Sequence, residues 1–220
     1  MCRICIDMKK IIFALVITSL FCSCSSSLLV KFGEEGIIGF EYSALCGKEL
    51  TATISSISGG GEGQPVFETE RIKEALEKAK FSKIKVSSPE KNMLTLSAEL
   101  SGNAETPVAK SQIFEELRQS KGLSLTLTAE SLQSLYSVLP DEFQSYMDLF
   151  MAPSFTGEIM SDSEYLDLVA TVYGKPLAAE LENAVLTLTL QSGAEKRVRK
   201  IRLIQLLNMK ESEILRLQTK

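Results

Sequence analysis

The sequence contains no histidine. Without imidazole there is no Ser-His-Asp or Cys-His catalytic machinery and no histidine metal site. An enzyme built on this chain would have to run on carboxylates, lysines or a lone cysteine. Cysteine is scarce as well, confined to positions 2, 5, 22, 24 and 46. No phosphate cradle is present: the glycines at 59, 60, 61 and 63 lead into Gln64-Pro65, and Gly47-Lys48 is followed by Glu49. Both runs lack the Lys-Ser/Thr that a nucleotide-binding loop requires, so neither a nucleotide nor any other cofactor is expected. Only residues 11–21 form an extended apolar run, shorter than the roughly 20 residues that span a bilayer. The formal net charge is -4, poor material for binding nucleic acid. Asp162, Glu164 and Asp167 cluster at a predicted helix start, where acids complement the dipole. They lack the alternating ligand spacing of a cation loop.

What the sequence does have begins at residue 8. Met8-Lys9-Lys10 is a basic lead, residues 11–21 are uncharged, and small residues follow up to Cys24. That is the layout of a secretory signal. Met1 to Asp7 do not fit a basic lead, so Met8 is the expected start. Two cysteines compete for the end. Bulky Phe21 precedes Cys22, whereas small Ser23 precedes Cys24. The segment resembles the signal of bacterial lipoproteins processed by signal peptidase II, with the loosened cysteine box of spirochaetes, Phe21 standing where leucine is usual. The resemblance covers about 17 residues. It implies cleavage after Ser23, acylation of Cys24 and a life in the cell envelope, on the inner or outer membrane. Each buried methylene contributes about 0.8 kcal/mol, so two or three acyl chains would hold the protein nearly permanently. Removing residues 1–23 takes away Arg3, Lys9, Lys10 and Asp7, which moves the net charge from -4 to -6. With Cys24 acylated, Cys46 is left as a small buried residue and no disulfide is expected. Residues 24–27, Cys-Ser-Ser-Ser, read as a short tether, which puts the body within about 15 Å of the bilayer.

Residues 28–220 read as one α+β domain: antiparallel hairpins forming a sheet, with amphipathic helices packed on one face. A hairpin is predicted over 28–43, with Phe40 and Tyr42 on one face. A helix follows over 45–57, then a glycine-rich loop over 58–65. The best helix covers 68–80, with Ile72, Ala75, Leu76 and Ala79 as its stripe. Strand spacing at Ile84 and Val86 and at Leu94, Leu96, Ala98 and Leu100 predicts a second hairpin. A short helix through Ile113, Phe114 and Leu117 leads to a strand at Leu123, Leu125 and Leu127. Thr128 caps a helix carrying Leu132, Leu135 and Tyr136. Pro140 opens another with Phe143, Tyr146 and Met147. Ser161 and Glu164 form a capping box for a helix whose stripe is Tyr165, Leu168, Val169 and Val172. A short helix over 176–182 precedes a last hairpin, 185–190 with 197–203, and a final strand over 213–217. The order helix, strand, strand occurs at 68–100 and again at 162–203, which admits two lobes.

Two surface features are candidates for contact. Lys196, Arg197, Arg199, Lys200 and Arg202 put five cations within seven residues of an otherwise acidic chain. Such a run guards a sheet edge against aggregation, or it faces anionic headgroups or an acidic envelope protein. Met151, Pro153 and Phe155 lie in the most apolar irregular stretch, which is either buried or a lip for lipid or a partner. Three functions fit. The first is a lipid-anchored, non-catalytic binding or scaffolding module working near the membrane through acylated Cys24. The second is a carrier or sensor of an apolar ligand, held between sheet and helices near residues 149–155. The third is a carboxylate-based envelope hydrolase, which needs two acids facing each other across a cleft.

Overall fold

A computed structural model describes residues 25–58, 66–101, 103–137, 152–210 and 215–218. Its frame is a six-stranded sheet in the order β3-β4-β2-β1-β6-β7. The central hairpin joins β1 (Ser25–Phe32) to β2 (Ile38–Leu45) through a short 3-10 turn at Glu34–Gly36. β3 (Phe81–Ser87) and β4 (Met93–Leu100) form the second hairpin, and β4 pairs antiparallel with β2. β6 (Val185–Ser192) and β7 (Glu195–Arg202) form the third, and β6 pairs parallel with β1. Parallel neighbours need a crossover, and here nearly the whole chain between residues 32 and 185 supplies it. Both helix-strand-strand runs therefore deliver their hairpins to a single sheet.

Ser25, Ser26 and Ser27 are not a spacer. They are the first three residues of β1, paired with Leu45, Ala44 and Ser43 on one side and with Val185, Leu186 and Thr187 on the other. Serine is a weak strand former, but a strand flanked on both sides satisfies its backbone groups twice over. These three serines are thus part of the sheet.

Eight helices accompany the sheet among the described residues. They are α1 (Lys48–Ser58), α2 (Thr69–Lys78), α3 (Gln112–Gln119), α4 (Ala129–Ser137), α5 (Pro153–Thr156), α6 (Asp162–Tyr173), α7 (Lys175–Asn183) and α8 (Leu203–Leu207). Alternation along the strands sets the layers. Val30, Tyr42, Leu94, Leu96, Leu186 and Leu188 point to one face and are 4% exposed or less. Each such side chain contributes roughly 1.5–3 kcal/mol by burial. The helices cover this face. The opposite face, carrying Ser25, Ser27, Glu41, Leu45, Val198 and Lys200, is open to solvent among the described residues.

β5 (Ser124–Leu127) pairs not with the main sheet but with β8 (Leu215–Gln218). Leu123 falls outside the strand and is exposed, while Leu125 and Leu127 are buried. Thr128 caps α4 as expected: its Oγ1 accepts from Ser131 N–H at 3.0 Å, and Ser131 Oγ accepts from Thr128 N–H at 2.9 Å. The Ser161–Glu164 capping box also forms. α6 is turned from its expected orientation. Tyr165 and Val169 are buried with Leu166, Ala170 and Tyr173 against the core, while Val172 is exposed. The loop expected over 58–65 and the helix expected to begin at Pro140 lie outside the described residues, apart from Ser58.

Candidate functional site

Between the sheet and its helix layer lies an apolar cavity of about 130 Å³. Its floor is Leu28 and Val30 of β1, Phe40 and Tyr42 of β2, Ala98 of β4 and Leu188 of β6. Its roof includes Phe114 and Leu117 of α3, Leu132, Leu135 and Tyr136 of α4, and Phe155 of α5. Strand period places every second residue of four neighbouring strands on the floor. Helix period brings Leu132, Leu135 and Tyr136 over it. Aromatic contacts frame the space: Phe40 meets Phe81 and Phe114 edge-on at 5.9 and 5.6 Å, and Tyr136 stacks on Phe155 at 5.4 Å.

The size limits what the cavity can do. Ordinary ligand pockets run to about 300–1,000 Å³, so a bulky molecule does not fit. A dry cavity of about 150 Å³ lined by leucine, isoleucine and phenylalanine takes a benzene-sized guest. This one suits a small ring or the end of an alkyl chain.

The apolar stretch around residue 153 turns inward. Pro153 is buried in the first turn of α5, and Phe155 lines the cavity. Pro153 and Phe155 are therefore not an exposed lip, because Ser154 buckles α5 to the core. Its Oγ donates to Leu206 O at 2.6 Å and accepts from Met209 N–H at 2.7 Å. Met151 lies outside the described residues, as does Cys24. The apolar side chain that does stand out nearby is Ile159, 77% exposed.

The five cations do not form one patch. All lie on β7, an edge strand, and the pleat divides them. Lys196, Lys200 and Arg202 share the open face with Val198, whereas Arg197 and Arg199 share the helix-side face with Ile201. The other edge, β3, carries Lys83 and Lys85 and a register break between Ser82 and Lys85. Lysines and bulges are the ordinary protection of a sheet edge.

Three carboxylates make structural contacts. Glu116 accepts from Thr126 N–H at 2.7 Å and from the hydroxyls of Thr126 and Ser124 at 2.8 and 3.1 Å, fastening α3 to β5. Glu180 of α7 accepts from the N–H groups of Glu49 and Leu50 at 2.9 and 3.1 Å. Glu164 is held below the usual carboxylate range by hydrogen bonds from the Ser161 backbone and hydroxyl. A glycosidic acid needs the opposite displacement. Cys46 is buried, with its carbonyl accepting from Asn92 Nδ2 at 2.8 Å. Among the described residues no helix is long and apolar enough to cross a membrane, and no group of three or more acids or cysteines is placed to hold a metal ion.

Comparisons with family models, with curated proteins and with solved structures return no match.

Proposed function

We propose that this chain is a lipid-anchored, non-catalytic binding protein of the bacterial cell envelope that holds a slender apolar ligand between its sheet and its helices. The cavity carries this reading. An apolar pocket of about 130 Å³ is unusual in a protein packed to crystal density, and a guest would recover the contacts its lining lacks. The signal-like residues 8–24 support the envelope location, where acyl chains and other apolar molecules abound. Of the readings open at the outset, carriage or sensing of an apolar ligand is favoured over scaffolding alone, because Phe155 turns into the cavity rather than outward. The hydrolase reading gains nothing from Glu116, Glu164 and Glu180, which are spent on backbone and hydroxyl donors.

The test is ligand-linked stability. Benzene or octanoate at about 100 times its dissociation constant would stabilise the purified protein by about 2.7 kcal/mol, seen as a rise in melting temperature. Ala98→Ile, which puts a larger side chain into the floor, should abolish that rise. An equal rise in both proteins would sink the proposal.

A further inference from the structure

The open face of the sheet combines outward apolar side chains, Leu45 and Val198 among them, with an excess of cations. At the end where β1 begins, the register aligns Met93, Leu45, Ser25, Val185 and Arg202 across five strands, and Leu45 is 41% exposed. Two residues further along each strand comes a row of hydroxyls ending in a cation: Ser87, Thr95, Ser43, Ser27, Thr187 and Lys200. The charges of this face are strongly unequal. Lys31, Lys83, Lys85, Lys196, Lys200 and Arg202 oppose only Glu41 and Glu99, a surplus of four positive charges in a chain of net charge -4. Both acids are already engaged, Glu41 by Lys31 and Glu99 by Lys83 at 2.9 Å. The excess of acid therefore lies off this face.

We propose that this open face docks on an anionic phospholipid surface. Leu45, Met93 and Val185 enter the headgroup boundary, and Lys196, Lys200 and Arg202 lie over the lipid phosphates. Aliphatic side chains at the boundary and cations over anionic lipid are the two terms that hold a protein flat on a membrane. Edge protection explains cations on β7 and β3. It does not explain the outward apolar side chains of this face or the engagement of both acids. The inference rests in part on the anchored reading. Residue 24 is bonded directly to Ser25, which lies between Leu45 and Val185 on this face, so an acyl group there would hold the face against the bilayer at high effective concentration.

The test uses the full protein as isolated from membranes, reconstituted into phosphatidylcholine vesicles with and without phosphatidylglycerol. Lysines are acetylated and read by mass spectrometry. Lys85, Lys196 and Lys200 should label several-fold more slowly with phosphatidylglycerol present, while Lys73 and Lys175 on the helix layer keep their rates. Lys200→Glu combined with Arg202→Glu should remove the protection. Equal labelling of Lys196 and Lys200 in both vesicle types would overturn the proposal. So would protection seen in native envelopes but not in anionic vesicles, which would assign the face to a protein partner. The intact mass of the same sample reports acylation of Cys24 separately. An acylated protein without the footprint removes the docking face and keeps the anchor, and a footprint without acylation does the reverse.

Discussion

Gly122 has φ +73°, and a Cβ built on it would stand 2.3 Å from Cβ of Phe32. Two costs coincide there: a left-handed backbone that side chains resist, and a collision with the central strand. Gly122→Ala is expected to destabilise the fold by about 3 kcal/mol, read from the urea midpoint. Tyr165 couples the fold to alkaline pH. Burial, and secondarily the neighbouring Tyr173, raises its pKa above the ordinary value. The folded state thus resists ionisation that the unfolded chain accepts. The stability involved is fully present below about pH 10 and is lost as pH rises beyond it. Tyr165→Phe should flatten the alkaline fall in melting temperature, and an unchanged pH profile would refute the assignment.

At the scale of elements, α1 shows how a helix can depend on a distant one. Its preceding residue, Gly47, has no side chain with which to cap. The carboxylate of Glu180, 131 residues away from Glu49, accepts the first free N–H groups instead. This cap also places a negative charge at the positive end of the helix dipole. Glu180→Ala is expected to cost about 2 kcal/mol and to speed amide exchange in α1 before that in α2. The hairpins and the α6 capping box were legible because their signals are local: period-two alternation, and a Ser with a Glu three residues on. The rotation of α6 was not, because Leu166 and Val172 are both apolar and only the neighbouring elements choose which is buried. The splitting of the five cations followed from the strand period, although their closeness in sequence made them look like one patch.

For the whole molecule, one sheet with one covered face produces both candidate surfaces, the cavity beneath the helices and the cationic open face behind it. The cavity is a reserve of stability left unused. Filling it with Ala98→Ile should raise stability by about 1 kcal/mol in denaturant unfolding, β-branching being well suited to a strand. The same variant should lose the ligand response, so stability and function would move in opposite directions.

Some features were decided by the sequence alone: the absence of histidine chemistry, the signal-like residues 8–24, the strand and helix periods, and the layered α+β class with helices on one face. These depend on residue type and on spacing within a turn or a pleat, which the chain carries wherever it folds. Tertiary structure alone decided that Ser25 to Ser27 join the central strand and that β6 lies parallel beside β1. It likewise decided that β5 leaves the main sheet for β8, that Phe155 turns inward and that Glu180 caps α1. Each of these joins residues far apart in the chain. Their partners are chosen by which arrangement satisfies every buried backbone group and covers the apolar face at once.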